Sequence, residues 1–215
     1  MKEPVSVFES KELKIEKLTL GAFHTNAYIV IFLRTRDSVL IDAPAQAEVI
    51  KKALEETKTR YILLTHNHLD HIGALPDLQS KPFPLAVHPL DGATLPKPAD
   101  RLLSDGEKID FGQVSIEVLH TPGHTKGSLC FKIGKALLSG DTIFGGGPGR
   151  TNSPEAFRQI IRSIVQKIFI LPDDTEIFPG HGEETVLKKE KEKYKIFASK
   201  PHEKNLCGDV TWLFS

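Results

Sequence analysis

The segment 65–71 reads THNHLDH and comes directly after a short apolar run, YILL. A short apolar run before a turn is typical of a buried strand, and side chains at the end of such a strand lie where sites are commonly built. His66 and His68, two residues apart on extended backbone, point to the same side and can bind one metal ion together. Asp70 and His71 lie beyond the turn and can reach a second point. A chain with this segment is expected to bring further ligands to the same sheet edge.

Three later segments each place one ligand-type residue after an apolar run, among glycines and prolines. They are HTPGHTKGS with His124, LLSGDTIF with Asp141 and IFPGHGEE with His181. Two metal ions that share one carboxylate and leave a position for water need about seven ligands. The set contains nitrogen and oxygen donors and no thiolate, which suits zinc, iron or manganese without choosing among them. The seven candidate ligands are His66, His68, Asp70, His71, His124, Asp141 and His181.

The remaining histidines lack this setting and are expected to have structural or surface roles; they are His24, His88, His120 and His202. His120 precedes a Thr-Pro-Gly turn and is expected to support the loop that carries His124. Asp42 ends another apolar run, in VLIDAP, and has two interpretations. Either it holds a ligand loop from behind, or it has an ordinary turn role.

Apolar and β-branched runs separated by turn residues predict strands and helices in two similar halves. The predicted strands are Lys14–Leu20, Asn26–Arg34, Val39–Ile41, Tyr61–Leu64, Pro84–Val87, Val114–Leu119, Ser128–Ile133, Ala136–Leu138 and Glu176–Phe178. The predicted helices are Ala47–Thr57, Gly73–Leu78, one that begins at Ser153–Pro154–Glu155, and the charged segment Glu183–Phe197. This order predicts a two-sheet core with helices outside, in a single domain over residues 1–215.

The composition argues against several classes of partner. Lys plus Arg and Asp plus Glu both number 28, so the chain lacks the basic excess typical of nucleic-acid-binding domains. No apolar run is long enough to span a bilayer, and the N-terminus has no apolar stretch of the secretory type. Cys130 and Cys207 lie outside the histidine motifs and imply no disulfide framework. We therefore expect a cytoplasmic protein whose partner is a small molecule, neither nucleic acid nor membrane.

The series THNHLDH, TPGHTKGS, SGDTIF and PGH resembles, in content and in order, the motif series of the metallo-β-lactamase superfamily. The resemblance implies an α/β fold, the four-layer αββα sandwich, with metal ions at one edge between the sheets. It also implies a division of the ligands. The first metal would be bound by His66, His68 and His124, the second by Asp70, His71 and His181, and Asp141 would bridge the two.

Within this superfamily, the motifs separate several branches. The common class of β-lactamases carries a cysteine where this chain has Asp141, and the flavodiiron branch carries a glutamate where it has His68. The chain therefore matches neither branch at these positions. The nucleic-acid-processing branch inserts a large domain for which this chain has no room. The run GDTIFGGGPGRT resembles the short glyoxalase II-like hydrolases, whose group hydrolyses thioesters of glutathione, and the neighbouring persulfide dioxygenases. There are two departures. Only 34 residues follow His181, where full-length glyoxalase II has a helical glutathione-binding region, and Asn152 stands where relatives often have aspartate.

A metal-dependent hydrolase of thioesters is therefore the first expectation, with zinc as the preferred ion and iron or manganese as alternatives. A water that bridges two cations loses its proton near neutral pH and can attack the thioester carbonyl. Asp70 would act both as a ligand and as a proton carrier. One alternative is a mononuclear iron persulfide dioxygenase, which uses only the equivalents of His66, His124 and Asp141. Another is a hydrolase of lactones or other esters.

The glycine-rich loop Phe144–Arg150 leaves Asp141 directly and is expected to form a wall of the substrate pocket. Its glycines do not join a strand to a helix with P-loop spacing, so they give only a weak indication of phosphate binding. Arg150 has two interpretations. It is a substrate-binding residue that meets a carboxylate, or it pairs with a carboxylate of the protein as a structural residue.

Overall fold

The computed structural model describes residues 3–78 and 83–215, which form two large β-sheets with helices on their outer faces. The first sheet has seven strands that lie in chain order. They are β1 (Val5–Glu9), β2 (Leu13–Leu20), β3 (Thr25–Phe32), β4 (Asp37–Ile41), β5 (Lys58–Leu63), β6 (Leu85–Val87) and β7 (Arg101–Leu102). Strands β1 to β4 pair antiparallel, and β4 to β7 pair parallel.

The second sheet comes from the second half of the chain. Its first four strands pair antiparallel in succession: β8 (Lys108–Phe111), β9 (Val114–His120), β10 (Leu129–Ile133) and β11 (Ala136–Gly140). A small hairpin follows, formed by β12 (Ile143–Phe144) and β13 (Gly147–Pro148). Strand β14 (Glu176–Pro179) then pairs parallel with β11, and β15 (Thr185–Val186) pairs antiparallel with β14 at the edge.

Within the described residues, the sheets are accompanied by the α-helices α1 (Ala47–Leu54), α2 (Leu69–Ile72), α3 (Leu75–Leu78), α4 (Pro89–Gly92), α5 (Pro154–Ser163) and α6 (Leu187–Ala198). Helix α5 has the predicted start, since the Ser153 hydroxyl accepts a hydrogen bond from the Ala156 amide and Pro154 occupies the first turn. It continues into a π-helical turn, Ile164–Ile168.

Buried apolar side chains form three clusters that define the layers. The central cluster joins the inner faces of both sheets, for example Val30 and Ile41 with Val118 and Phe131. A second cluster packs α1 and α3 on the outer face of the first sheet. A third packs α5, α6 and the C-terminal tail on the outer face of the second sheet. The four-layer αββα sandwich is therefore confirmed.

The structure departs from the sequence prediction at several boundaries. Helix α6 begins at Leu187 rather than Glu183, because Thr185–Val186 pairs with β14 first. Helix α1 ends at Leu54 rather than Thr57. Predicted helix Gly73–Leu78 is shorter, Leu75–Leu78, and a separate helical turn precedes it at Leu69–Ile72. The sequence does not predict strands β1, β7, β8, β12, β13 and β15 or helix α4. Within residues 3–78 and 83–215, every helix is too short or too polar to span a membrane.

The last residues of the chain, 208–215, pack back onto the second sheet. Trp212 is fully buried, and its ring lies 5.3 Å from that of Tyr194 and 5.4 Å from that of Phe197. Its backbone amide donates a hydrogen bond to the Gly146 carbonyl at 2.8 Å. The tail is thus fixed both to α6 and to the glycine-rich loop.

We predict that Trp212→Ala lowers the free energy of unfolding by about 3–5 kcal/mol, because it removes a large buried ring from a packed cluster. Trp212→Phe should lose clearly less. Urea unfolding followed by circular dichroism measures both. Phe214→Ala, two residues away and 91% exposed, is the matched control and should change stability by no more than about 0.5 kcal/mol. An equal loss for Trp212→Ala and the control would show that the tail does not belong to the folded core.

Candidate metal centre

The candidate ligands leave the carboxyl ends of strands from both sheets at one edge of the sandwich. His66 follows β5, Asp141 follows β11, and His181 follows β14. Backbone hydrogen bonds join the sheets at this edge, among them those from the Asn26 N–H to the Gly180 carbonyl and from the Leu129 N–H to the Thr65 carbonyl, both 2.8 Å. Because these bonds connect residues next to the ligands, they hold the two halves of the centre in register.

Three histidines form the first group of the centre. Nδ1 of His68 lies 3.2 Å from Nε2 of His66 and 2.9 Å from Nε2 of His124. Two nitrogens bound at about 2.0–2.1 Å to one tetrahedral zinc ion would be about 3.3 Å apart. Three imidazole nitrogens this close to one another have the spacing of ligands around a common cation. The structure therefore brings the first predicted triad together.

The second group contains Asp70, His71 and His181. Nε2 of His181 lies 3.2 Å from Oδ2 of Asp70 and 3.4 Å from Nε2 of His71. The third distance, from Nε2 of His71 to Oδ2 of Asp70, is 3.7 Å. The ligand atoms of this group, like those of the first, all lie within 4.8 Å of one another. The second predicted triad is therefore also assembled.

Asp141 lies between the two triads. Its Oδ2 is 3.4 Å from Nε2 of His124, in the first group, and 3.6 Å from Nε2 of His181, in the second. Its Oδ1 is 3.4 Å from Nε2 of His71 and, within the described chain, is buried without a hydrogen-bond partner. Burying a carboxylate oxygen that accepts no hydrogen bond costs free energy unless a nearby positive charge balances it. A carboxylate that faces both groups in this way fits a ligand shared by two cations.

The outward nitrogens of four histidines have partners that orient the rings. Nδ1 of His71 donates to Asp42 at 2.8 Å, and Nδ1 of His124 donates to the Arg150 carbonyl at 2.8 Å. Nδ1 of His181 donates to the Phe23 carbonyl at 3.1 Å. Nδ1 of His66 lies 3.0 Å from the Thr65 hydroxyl. In a neutral imidazole these contacts place the proton on Nδ1 and leave the Nε2 lone pair directed into the centre, which is how metal-binding histidines are usually held.

Asp42 is the residue behind the THNHLDH turn. Its Oδ1 accepts the Thr65 amide at 2.8 Å, and its Oδ2 accepts the Thr65 hydroxyl at 2.7 Å and His71 Nδ1 at 2.8 Å. The side chain is buried, and the backbone adopts a φ of 59°. Of the two interpretations of Asp42, the one in which it holds a ligand loop matches these contacts.

Asp91, which the sequence analysis did not single out, has the same role for the loop that carries His124. This buried carboxylate accepts the Gly127 amide at 2.8 Å and the Thr125 hydroxyl at 2.7 Å. Only glycine fits at position 127, because an added Cβ would lie 2.5 Å from Oδ1 of Asp91. Asp91 lies in a Pro/Gly-rich stretch that the sequence marks only as a break between elements, and no ligand-type spacing points to it.

The electrostatics of the centre favour bound positive charge. Burial lowers the pKa of His66 and of His68, so both imidazoles are neutral, which is the form that binds metals. Burial also acts to lower the pKa of His71, but the Asp42 and Asp141 carboxylates outweigh it and raise that pKa to about 10. Burial acts to raise the pKa of Asp141, yet His71 and the other histidines beside it hold that pKa well below its usual value. A metal cation can replace the His71 proton and satisfy the same carboxylates.

The other predicted residues lie around the centre. His120 stacks on His88 at 3.9 Å and contacts the Lys126 carbonyl through Nε2 at 2.9 Å, so it does support the His124 loop. His202 stacks on Phe197, outside the centre. The Arg150 side chain is 68% exposed and lies 3.9 Å from the Asp209 carboxylate. The direct contact of Arg150 with the centre is its carbonyl group.

Comparison with known proteins identifies the family to which the chain is similar. Residues 20–181 match the family described as the metallo-beta-lactamase superfamily. The probable metallo-hydrolase YqgX of Bacillus subtilis is 33% identical, over 80% of this chain and 92% of that protein. The hydroxyacylglutathione hydrolase of an Enterobacter species is 36% identical, over 76% of this chain and 64% of that protein.

Three solved structures extend the comparison. The BLEG-1 B3 metallo-beta-lactamase has a TM-score of 0.74 and 31% identity, over 83% of this chain and 96% of that one. ETHE1 from Myxococcus xanthus has a TM-score of 0.74 and 27% identity, over 87% of this chain and 85% of that one. TTHA1623 in a di-iron-bound form has a TM-score of 0.69 and 32% identity, over 81% of this chain and 96% of that one. Because the family match covers more than half of the chain and includes both candidate triads, the chain belongs to the metallo-β-lactamase superfamily of metal-dependent hydrolases.

Proposed function

We propose that this protein is a dinuclear metal-dependent hydrolase of thioesters. The observation that carries the proposal is the pair of compact triads with the Asp141 carboxylate between them. His66, His68 and His124 would hold one ion, Asp70, His71 and His181 the other, and Asp141 would contact both. Zinc suits this set of imidazole and carboxylate donors, and iron and manganese suit it as well. The similarity to a protein solved with two iron ions supports a dinuclear centre.

The bound cations would supply an acidified water and a polarised substrate carbonyl. Asp70 is the residue of this chain suited to move the proton. Its carboxylate is 24% exposed, compared with 11% for Asp141, and it accepts a hydrogen bond from the Thr25 hydroxyl at 3.0 Å. The Thr25 contact fixes the direction of the carboxylate, and the exposure allows it to pass a proton to solvent or to the product. A thiolate leaves readily, so the leaving group requires little help from an acid.

The thioester is preferred because hydroxyacylglutathione hydrolases are among the relatives and because Asp141, not cysteine, occupies the shared position. The substrate would be a small molecule, with Arg150 at the rim of the centre available to meet a carboxylate. The absence of a basic excess is consistent with a small-molecule enzyme that binds neither nucleic acid nor membrane and works in the cytoplasm.

A mononuclear iron persulfide dioxygenase is the second candidate, and the similarity to ETHE1 favours it. In that case only His66, His124 and Asp141 would hold the ion. The contacts in the second triad support the hydrolase instead, because His71 and His181 both have their outward nitrogens satisfied and their Nε2 atoms 3.4 Å apart. A hydrolase of lactones or other esters would use the same centre with a different substrate pocket.

A substrate panel tests the reaction class. With zinc-loaded protein we expect clear turnover of thioesters such as S-lactoylglutathione and negligible turnover of penicillins and cephalosporins. Spectrophotometric assays at the thioester and β-lactam absorbance bands measure both. Efficient β-lactam hydrolysis with inert thioesters would overturn the proposal, and sulfite production from glutathione persulfide by iron-loaded protein would move the assignment to the dioxygenase. A lactone as by far the best substrate would retain the hydrolase and exclude the thioester.

Asp70→Asn tests the proton-transfer role. The substitution keeps the shape and one oxygen ligand but loses the charge, so kcat should fall by roughly 10²–10⁴-fold while the first metal site stays filled. A helix-capping role does not account for Asp70, because the residue at the N-cap of α2 is His68. Asp110→Asn, on an exposed position of β8, is the matched control and should retain full turnover. Wild-type turnover and metal content in Asp70→Asn would remove Asp70 from the mechanism.

A further inference from the structure

A cavity of about 440 Å³ lies between the glycine-rich loop and the C-terminal tail. One wall is formed by Phe144–Pro148 and Arg150, and the other by Asp209, Val210, Thr211, Leu213 and Phe214, with Lys193 of α6 at one side. Pockets that bind small molecules typically have volumes of about 300–1,000 Å³ and mostly apolar walls with a few polar groups. This cavity therefore has the size and the lining of a small-molecule site, and none of the seven candidate ligands lines it.

The frame of the cavity is rigidly held. Glu190, fully buried on α6, accepts the Gly146 amide at 2.7 Å and also contacts the Thr185 hydroxyl and Lys193 Nζ, both at 2.9 Å. From the other side, the Trp212 amide bonds to the Gly146 carbonyl, and residues Thr151 and Gly208 pair as an isolated bridge. The loop and the tail are thus joined on both sides of the cavity, so the cavity is formed before any ligand enters.

The cavity adjoins the metal centre through two residues of the loop. The Phe144 ring, which lines the cavity, has its centroid 6.3 Å from that of the His181 ring. At the other end of the loop, the Arg150 carbonyl contacts His124. Gly149 packs so closely on the Asp141 backbone that a side chain there would overlap the Asp141 carbonyl oxygen. The same loop therefore lines the cavity and contacts the centre, so the cavity lies next to the position of a substrate bound there.

The charges around the cavity indicate what kind of arm it accepts. Lys193 is already paired with buried Glu190, and Arg150 at the rim has Asp209 as a loose partner. Each charged residue of the lining thus has an oppositely charged neighbour, and Phe144, Pro148, Val210 and Leu213 make much of the remaining wall apolar. Resting on the proposed hydrolase function, we propose that this cavity is a specificity subsite for an uncharged hydrocarbon arm of the substrate, with one wall supplied by residues 210–214.

Binding tests the subsite without any catalysis. The probe is the thioether S-hexyl-N-acetylcysteamine, which cannot be hydrolysed, and its comparison compound is the S-methyl analogue. Isothermal titration calorimetry measures the binding, because Trp212, the single tryptophan of the chain, is fully buried and does not line the cavity. We expect saturable binding of the hexyl compound and at least about tenfold weaker binding of the methyl compound. Equal binding of both, or no saturable binding, would overturn the subsite whether or not the protein hydrolyses thioesters.

Variants locate the binding. The double substitution Leu213→Ala and Phe214→Ala should reduce the affinity for the hexyl thioether by about tenfold or more. Ile170→Ala, at an exposed apolar residue that does not line the cavity, is the matched control and should bind as wild type does. Circular dichroism checks that the double variant is folded. Unchanged hexyl affinity in a folded double variant would place the binding elsewhere and contradict the proposal.

Hydrolysis then shows which side of the thioester carries the arm. S-hexanoyl-N-acetylcysteamine carries a six-carbon chain on the acyl side, and S-hexyl thioacetate carries a six-carbon chain on the thiol side. We expect one of them to exceed S-acetyl-N-acetylcysteamine in kcat/KM, and the double variant to lose that preference. No preference for either in an enzyme that hydrolyses all three would refute the subsite and leave the proposed function intact. Binding of the thioether without any thioester turnover would refute the proposed function alone.

Discussion

Asp42 accepts hydrogen bonds from the Thr65 amide, the Thr65 hydroxyl and His71, and the candidate metal centre depends on this buried carboxylate. It connects the end of β4 to the turn after β5, and through Thr65 it also reaches His66. The Asp91 carboxylate does the same for the loop of His124. Ordering each ligand loop costs conformational entropy. These hydrogen bonds offset that cost and hold the ligands from separate segments close together.

The C-terminal tail extends this support from the second sheet. The amide and carbonyl of Gly146 are bonded to Glu190 of α6 and to Trp212, and the loop that contains Gly146 ends at Arg150, whose carbonyl contacts His124. A fully buried glutamate is uncommon and requires satisfied partners. Here its partners belong to three different segments of the chain. The short chain after His181 therefore stabilises the loop beside the centre and at the same time encloses the proposed subsite.

The sequence predicts which seven side chains come together at this edge, because THNHLDH and the three later motifs place ligand-type residues after apolar runs, and the resemblance to the superfamily implies how they divide into two groups. It also predicts the order of the main strands from apolar periodicity. Asp91 could not be found in this way, since its role depends on contacts with Gly127 and Thr125 more than thirty residues away. Strand β15 and the later start of α6 depend likewise on pairing with β14. The packing of Trp212 against Tyr194 and Phe197 depends on tertiary contacts, which the sequence around Trp212 does not indicate.

The central claim is that two cations share one carboxylate at this sheet edge. The most direct test is elemental analysis of protein saturated with zinc and then freed of excess metal, expressed as ions per chain. The account predicts about two zinc ions per chain for the wild-type protein. It also predicts a clear loss of stoichiometry in Asp141→Ala, because one deletion removes a ligand from both positions. A limit of one ion per chain for the wild type in excess zinc would contradict the account.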